Sequence, residues 1–84
     1  MDEYTIISGI PRKKIEEYLK SICKYSLNEN KFFGDEWEIE ITEENISKYG
    51  VIKLPKVKIL FRANSKKLTE LVGDYRLKFL SAGG

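Results

Sequence analysis

The apolar pattern of this chain changes its period at Gly9-Ile10-Pro11, and this early change restricts the possible folds more than any other feature. The preceding residues 4–8 are rich in β-branched and aromatic side chains and predict a strand. Pro11 suits the first helical position, where its missing N–H has no partner to lose. The apolar residues that follow recur at helical spacing: Ile15, Tyr18, Leu19, Ile22, Cys23 and Leu27. We therefore expect a strand and then, at once, an amphipathic helix of about four turns, ended by Asn28-Glu29-Asn30.

The middle of the chain alternates between apolar and acidic residues, which is typical of a strand with one face in the core. Lys31-Phe32-Phe33 predicts a short strand that turns at Gly34-Asp35 into a longer strand over residues 36–42. The side chains that we expect to face the core from the longer strand are Trp37, Ile39 and Ile41, and those on the opposite, acidic face are Glu36, Glu38 and Glu40.

A basic segment follows the predicted connector Ser47-Lys48-Tyr49-Gly50. Residues 51–54 and 56–62 are both strand-like, but their apolar residues change parity across Pro55. A bulge or tight turn at Pro55 would explain this change, because proline cannot donate to a central ladder. Three or four strands are therefore expected after the first helix.

The last part of the domain allows two interpretations. Asn64-Ser65 is a helix N-cap signal, and one helical face would carry Leu68, Leu71, Val72, Tyr75 and Phe79. Alternatively the helix ends at Gly73 and residues 75–79 form a final strand, which would give a βαββαβ, ferredoxin-like order.

Composition limits the chemistry of the chain. Its 84 residues make one α+β domain, expected over residues 1–80, and its 15 basic and 13 acidic residues are nearly balanced. Without histidine and with a single cysteine, Cys23, it lacks a disulfide framework and the usual ligands of a zinc site. We expect no catalytic residues, metal or cofactor. No apolar run suits a signal peptide or a membrane span, which predicts a cytoplasmic protein.

The acidic strand and the basic strand have outward faces of opposite sign. If they pair antiparallel, Lys56, Lys58 and Arg62 form a cross-strand charge ladder with the acidic face. The same three cations could instead bind a partner's anions or form a strip for nucleic acid. We favour the ladder, because neighbouring carboxylates would cancel the field toward phosphates. This outer face could also pair with a second copy of the chain. A homo-oligomer is therefore retained as an alternative.

Three cations open the first helix, where they oppose the helix dipole. Arg12 and Lys13 are therefore candidates for binding a phosphate or a partner's carboxylate, together with Lys14. The simpler interpretation, which we favour, is that Glu16 and Glu17 neutralise them at helical spacing.

The chain ends in Ser81-Ala82-Gly83-Gly84, which we expect to be a flexible tail after the domain. Gly83 and Gly84 resemble the terminus that a ubiquitin-like sulfur carrier presents to its activating enzyme, where a residue without Cβ can enter a narrow site. Such a carrier opens with a β-hairpin, however, so the tail is carrier-like and the order of elements is not.

Several short features in sequence order resemble the C-terminal domain of MoaD-related proteins, in which a MoaD-like sulfur carrier is followed by an extra domain. These features are Gly9-Ile10-Pro11, Ile15-Glu16-Glu17-Tyr18-Leu19, Leu54-Pro55, the basic strand after Pro55, the amphipathic last segment and the terminal glycines. The resemblance implies a single antiparallel sheet in the order β-α-β(3–4)-α, similar to the TATA-binding-protein arrangement. It favours a last helix from about Ser65 to Leu80.

The resemblance implies a small non-enzymatic accessory or binding domain associated with sulfur-carrier chemistry of the molybdopterin or thiamin type. The implied partner is a sulfur carrier or its activating enzyme. The family supplies no catalytic residues to carry over. Nucleic-acid binding through the basic strand is the alternative function.

Overall fold

The computed structural model describes the backbone of residues 1–28, 30–49 and 52–80, and the side chains of residues 1–28, 30–42 and 56–79. Its elements are β1 (Asp2–Ser8), α1 (Arg12–Ile22), β2 (Tyr25–Leu27), β3 (Lys31–Gly34), β4 (Trp37–Tyr49), β5 (Ile52–Ala63) and α2 (Ser65–Leu80). All five of these strands belong to one antiparallel sheet in the order β1-β5-β4-β3-β2.

The predicted α+β class, with a single antiparallel sheet in the order β-α-β(3–4)-α, is confirmed, with four strands after α1. Residues 74–80 are helical, so the alternative βαββαβ order with a final strand is wrong. Gly73 lies inside α2, where a Cβ would meet no atom within 4 Å. The helix therefore continues through Gly73, at a position where a side chain would also fit.

The first helix is shorter than its sequence pattern predicts. It ends at Ile22, and Leu27 lies on β2 with 51% of its surface exposed, so the expected extension through Leu27 is wrong. The cause is tertiary, because Lys24 donates its backbone N–H to the carbonyl of Phe33 at 2.7 Å and β2 then pairs with β3. Pro11 also lies one position outside the helix, as the N-cap whose carbonyl accepts from Lys14 and Ile15.

The strands β4 and β5 form a long hairpin that continues through the predicted connector. Residues 47–49 belong to β4, and Gly50 lies outside the described residues. The expected irregularity at Pro55 is wrong: β5 is continuous there, and the register shift lies on the partner strand, between Ile41 and Glu43.

The turn between β3 and β4 is tight. Asp35 and Glu36 connect the paired residues Gly34 and Trp37, and Glu36 adopts a left-handed φ of 61°. Glu36 therefore lies in the turn, and its predicted place on the acidic strand face is wrong. A Cβ at Gly34 would overlap the indole of Trp37, so only glycine allows the indole to cross the strand at this position.

Both helices contribute to a core on one face of the sheet. The largest fully buried side chains are Phe32, Phe61, Ile15, Leu19, Ile39, Ile59 and Val57, and Trp37 and Ile41 also lie in the core, as their alternation predicts. The opposite face of the sheet carries the charged residues.

A hydrogen-bonded cap and a buried polar contact fix α2. The N-cap signal is confirmed, because Asn64 Oδ1 accepts from the backbone N–H of Lys67 at 2.9 Å. Farther along, the Tyr75 hydroxyl donates to Ser8 Oγ at 2.7 Å, across 67 positions of sequence. Ser8 Oγ also accepts from the N–H of Ile10 at 3.1 Å, so one side chain joins α2 to the segment that leads into α1.

Candidate functional site

The open face of the sheet carries the charge ladder that the sequence predicts. Arg62 on β5 lies between carboxylates of the two neighbouring strands. Its Nε is 2.6 Å from Glu3 Oε2 on β1, and its Nη1 is 3.1 Å from Glu38 Oε2 on β4. Glu38 and Arg62 are direct cross-strand partners, so the ladder is confirmed at this pair. The hydrogen bond that Arg62 donates to Glu3, together with the charges of both carboxylates, raises the pKa of the Arg62 guanidinium, although desolvation opposes this. Arg62 is therefore strongly engaged within the chain.

The two candidate lysines of β5 lie on the same face. Lys58 stands opposite Ile7 on β1 and opposite Glu43 on β4, and Lys56 is exposed. Farther across the sheet, Tyr25 and Phe33 stack with their ring centroids 4.8 Å apart. The open face thus combines a neutralised centre with cations at one end and an aromatic pair near the β2 edge.

The cations at the start of α1 are separate from this face. Arg12 bonds Glu16 Oε1 at 2.9 Å and Asn30 Oδ1 at 2.6 Å, so the favoured interpretation of neutralisation within the helix holds for Arg12. Lys13 and Lys14 are exposed. Since α1 packs on the helix-covered face, the structure does not bring Arg12 and Lys13 together with Lys56, Lys58 and Arg62.

Among the described residues, no group of histidine, cysteine, aspartate or glutamate side chains is arranged to hold a metal ion. Cys23 is half-buried after α1, and its Sγ approaches the carbonyl oxygen of Lys20 at 3.8 Å. Its surroundings give it the role of a small packing residue at the edge of the core.

Two grooves flank α2. The first, of about 510 Å³, lies between the two helices and is lined by Lys14, Glu17, Tyr18, Ser21, Lys78 and Phe79. The rings of Tyr18 and Phe79 pack edge to face with their centroids 5.6 Å apart. Burial, assisted by the charge of Asp74, raises the pKa of Tyr18. The candidate glycines Gly83 and Gly84 follow α2 and lie outside the described residues.

The second groove, of about 340 Å³, lies between α2 and the edge strand β1. It is lined by Tyr4, Leu68, Thr69, Val72, Gly73 and Arg76. The guanidinium of Arg76 lies over the Tyr4 ring at 5.5 Å and donates to the Tyr4 hydroxyl at 2.7 Å. This groove is mostly apolar and carries one cation.

Sequence reasoning missed the residues that join distant segments. Tyr4 and Arg76 are 72 positions apart, and Ser8 and Tyr75 are 67 positions apart. Neither pair lies within one helix or one hairpin, so only the sheet order could have brought them together. Gly73 reports neither contact, because a Cβ at this position would meet no atom within 4 Å.

Among the described helices, none is long and apolar enough to span a membrane. A comparison with protein families finds that the family described as "Archaeal MoaD-like protein" matches residues 3–84. No curated protein and no solved structure matches the chain.

Proposed function

The chain belongs to the archaeal MoaD-like protein family, and from this premise we propose that it is a non-enzymatic accessory domain that binds a sulfur carrier or its activating enzyme. The observation that carries the proposal is the family match, which extends over the whole domain and includes the terminal glycines. The family makes the chain a small sulfur-carrier-related protein; the accessory role and the partner are the proposal.

The topology supports an accessory role. The first strand pairs with β5 in antiparallel fashion and is followed directly by α1. A ubiquitin-like carrier opens with a hairpin, so this domain is better suited to act beside a carrier than to be one. The proposed role is that of the C-terminal domain of MoaD-related proteins, acting on a carrier in trans.

Gly83 and Gly84 form the carrier-like part of the proposal. In the activated version, the Gly84 carboxylate attacks the α-phosphate of ATP, forming an acyl adenylate and releasing pyrophosphate. Hydrosulfide from a sulfur donor then attacks the acyl carbon and displaces AMP, which leaves a thiocarboxylate. The domain needs no catalytic side chain for these steps, because the activating enzyme supplies them.

Intact-mass analysis tests this version. The chain is co-expressed with the native activating enzyme, and we expect a species heavier by the exchange of one oxygen for sulfur, or by an adenylate. A variant lacking Gly83 and Gly84 should not gain this mass, whereas Ser81→Ala should. Persistent absence of both species would eliminate the activated terminus and leave partner binding alone.

Partner binding would use the candidate cations that remain accessible. Lys13 and Lys56 are exposed, whereas Arg12 and Arg62 already contact carboxylates of this chain. We expect Lys13→Glu or Lys56→Glu to weaken binding to the native carrier or activating enzyme, and Lys58→Glu to act in the same direction. Lys66→Glu, an exposed α2 cation outside the candidate set, is the matched control. Equal binding by all four variants would remove these side chains from the interface.

A further inference from the structure

The two edges of the sheet differ in how well they are protected. The edge strand β2 has three residues, and Asn28 after it adopts a left-handed φ of 54°. The edge strand β1 has seven residues, pairs with β5 without a register shift, and contains neither proline nor lysine; its charged residues, Asp2 and Glu3, lie at its start, so residues 4–8 are uncharged. Natural sheets block long edges with such residues, bulges or covering segments. In the described part of the chain, β1 therefore offers a row of unpaired backbone groups.

The apolar groove lies directly beside this open edge. It runs along α2 from Leu68 to Arg76, which is about 12 Å at the helical rise per residue. An extended peptide covers that length with about four residues. A strand added to β1 would therefore place its alternate side chains in the groove, as in peptide recognition by strand addition next to a helix.

Gly73 supplies the room in the groove. It lies in the interior of α2, where glycine is unfavourable relative to alanine, and a Cβ at this position would meet no atom within 4 Å. Neither the core nor the neighbouring side chains require glycine here. A side chain at residue 73 would instead project into the groove, so glycine keeps this part of the groove open.

Arg76 defines the chemistry of the occupant. Its guanidinium is held by Tyr4, and it has no ion pair among the described residues. A single cation at one end of a short apolar groove matches a single negative charge at the end of a peptide. A terminal carboxylate meets this requirement and forms a charge-assisted hydrogen bond with guanidinium.

We infer that β1 and the α2 groove bind the extended C-terminal segment of a partner chain, with its carboxylate at Arg76 and its backbone paired to β1. The partner's terminal residues are small or apolar, because the groove is lined by Leu68 and Val72 and its open space at Gly73 is only that of a missing side chain. The assignment of a glycine-ended terminus rests on the proposed function, in which a sulfur carrier is the partner.

The probe is a fluorescein-labelled hexapeptide with a free carboxylate and the sequence of residues 79–84, which stands in for the glycine-ended terminus of a carrier, titrated into the whole chain by fluorescence polarisation. We expect saturable binding that weakens about tenfold or more for the C-terminal amide and for Arg76→Gln. Lys66→Gln removes an exposed cation elsewhere on α2 and should leave binding unchanged.

Gly73→Leu tests whether Gly73 keeps the binding groove open or only weakens the helix α2. It should raise the melting temperature, because leucine is a better helix former than glycine, and it should abolish peptide binding by filling the groove. Amide hydrogen exchange supplies the second readout, since strand addition should protect β1 amides only when the peptide is present.

Absence of saturable binding, or binding that Gly73→Leu and Arg76→Gln leave intact, would overturn the inference. A chain that is already dimeric, with β1 amides protected without peptide, would also overturn it and identify a second copy as the occupant. These measurements use no activating enzyme, so their failure leaves the intact-mass test of the proposed function unaffected, and the reverse also holds.

Discussion

The two central strands, β4 and β5, have two faces that are stabilised in different ways. On the helix-covered face, Ile39 pairs with Phe61 and neither side chain is exposed. The adjacent residues of the same two strands, Glu38 and Arg62, pair on the open face, and their side chains remain 20% and 33% exposed. Burial stabilises the first pair, whereas solvent and salt weaken the second.

This difference shows that both faces favour the same pairing register of β4 with β5. A slip of β4 by one residue against β5 would place Glu38 in the core and expose Ile39, while Phe61 stayed on the covered face. The apolar face supplies most of the favourable free energy, and the charged face makes the wrong register costly. Substitutions should therefore have large effects on one face and small effects on the other.

The largest expected effect is that of Phe61→Ala on the covered face. Removing a fully buried aromatic side chain leaves a cavity and should lower the free energy of unfolding by about 3–5 kcal/mol. Urea denaturation measures the change, and Phe61→Leu gives a milder variant if Phe61→Ala does not fold. Leu77→Ala, at a side chain 71% exposed, should change it by less than about 0.5 kcal/mol. Similar losses of unfolding free energy for Phe61→Ala and Leu77→Ala would mean that burial is not what stabilises the covered face.

Gly34→Ala tests the end of the covered face. The new methyl group would overlap the Trp37 indole, so we expect a loss of about 1–3 kcal/mol in unfolding free energy. Gly9→Ala is the matched control, because a Cβ at Gly9 would meet no atom within 4 Å. In a Trp37→Leu background the cost of Gly34→Ala should shrink; an unchanged cost would mean that the indole is not its cause.

Tyr75→Phe tests the polar contact inside the covered face. It removes the donor to Ser8 Oγ and should cost about 0.5–1.5 kcal/mol of unfolding free energy. Tyr25→Phe removes the hydroxyl of a tyrosine that is 63% exposed and should have a smaller effect. Equal costs in urea denaturation would show that the buried hydroxyl contributes nothing special.

The same tyrosine predicts how stability depends on pH. Burial raises the pKa of Tyr75 above its usual value, although the hydrogen bond to Ser8 opposes this, and burial also raises the pKa of Tyr18. Above about pH 10 the unfolded chain releases these protons while the folded chain retains them, so unfolding free energy should be retained below that pH and fall above it. Tyr75→Phe should flatten this fall; an identical pH profile would argue against the contribution of Tyr75.

The smallest effect is expected on the open face, for Arg62→Met. The loss of stability should be smaller than that of Tyr75→Phe and should shrink further in high salt, because the pairs with Glu3 and Glu38 are partly solvated. A double-mutant cycle with Glu38→Gln measures the coupling. Coupling that is large and independent of salt would mean that the two faces are stabilised alike.

The covered face was predictable because alternation within a strand directly reports burial. Trp37, Ile39 and Ile41 could be assigned to the core from period alone, and Asn64 could be assigned as a cap from its residue type. The end of α1 was not predictable in the same way. The helical spacing continues to Leu27, and only pairing with β3 draws residues 25–27 into the sheet.

The candidate site was less predictable than the fold. The charge ladder followed from two strands of opposite sign, so the two faces could be matched in advance, whereas the pairing of Glu38 with Arg62 required the register of the structure. The groove beside β1 could not, because Tyr4 and Arg76 meet only after β1 has paired with β5 and α2 has packed over them. The sequence spacing of these two residues contains no period that reports their contact.

The pairing of β1 with β5 also constrains the order in which the sheet can assemble. The strands from β2 to β5 are joined by successive hairpins, so their contacts are local in sequence. The pairing of β1 with β5 instead brings together residues from the two ends of the domain, such as Asp2 and Ala63. Closing such a long loop costs chain entropy before any contact repays it. During synthesis on the ribosome, β1 emerges before β2 to β5 and is nevertheless expected to join the sheet after them.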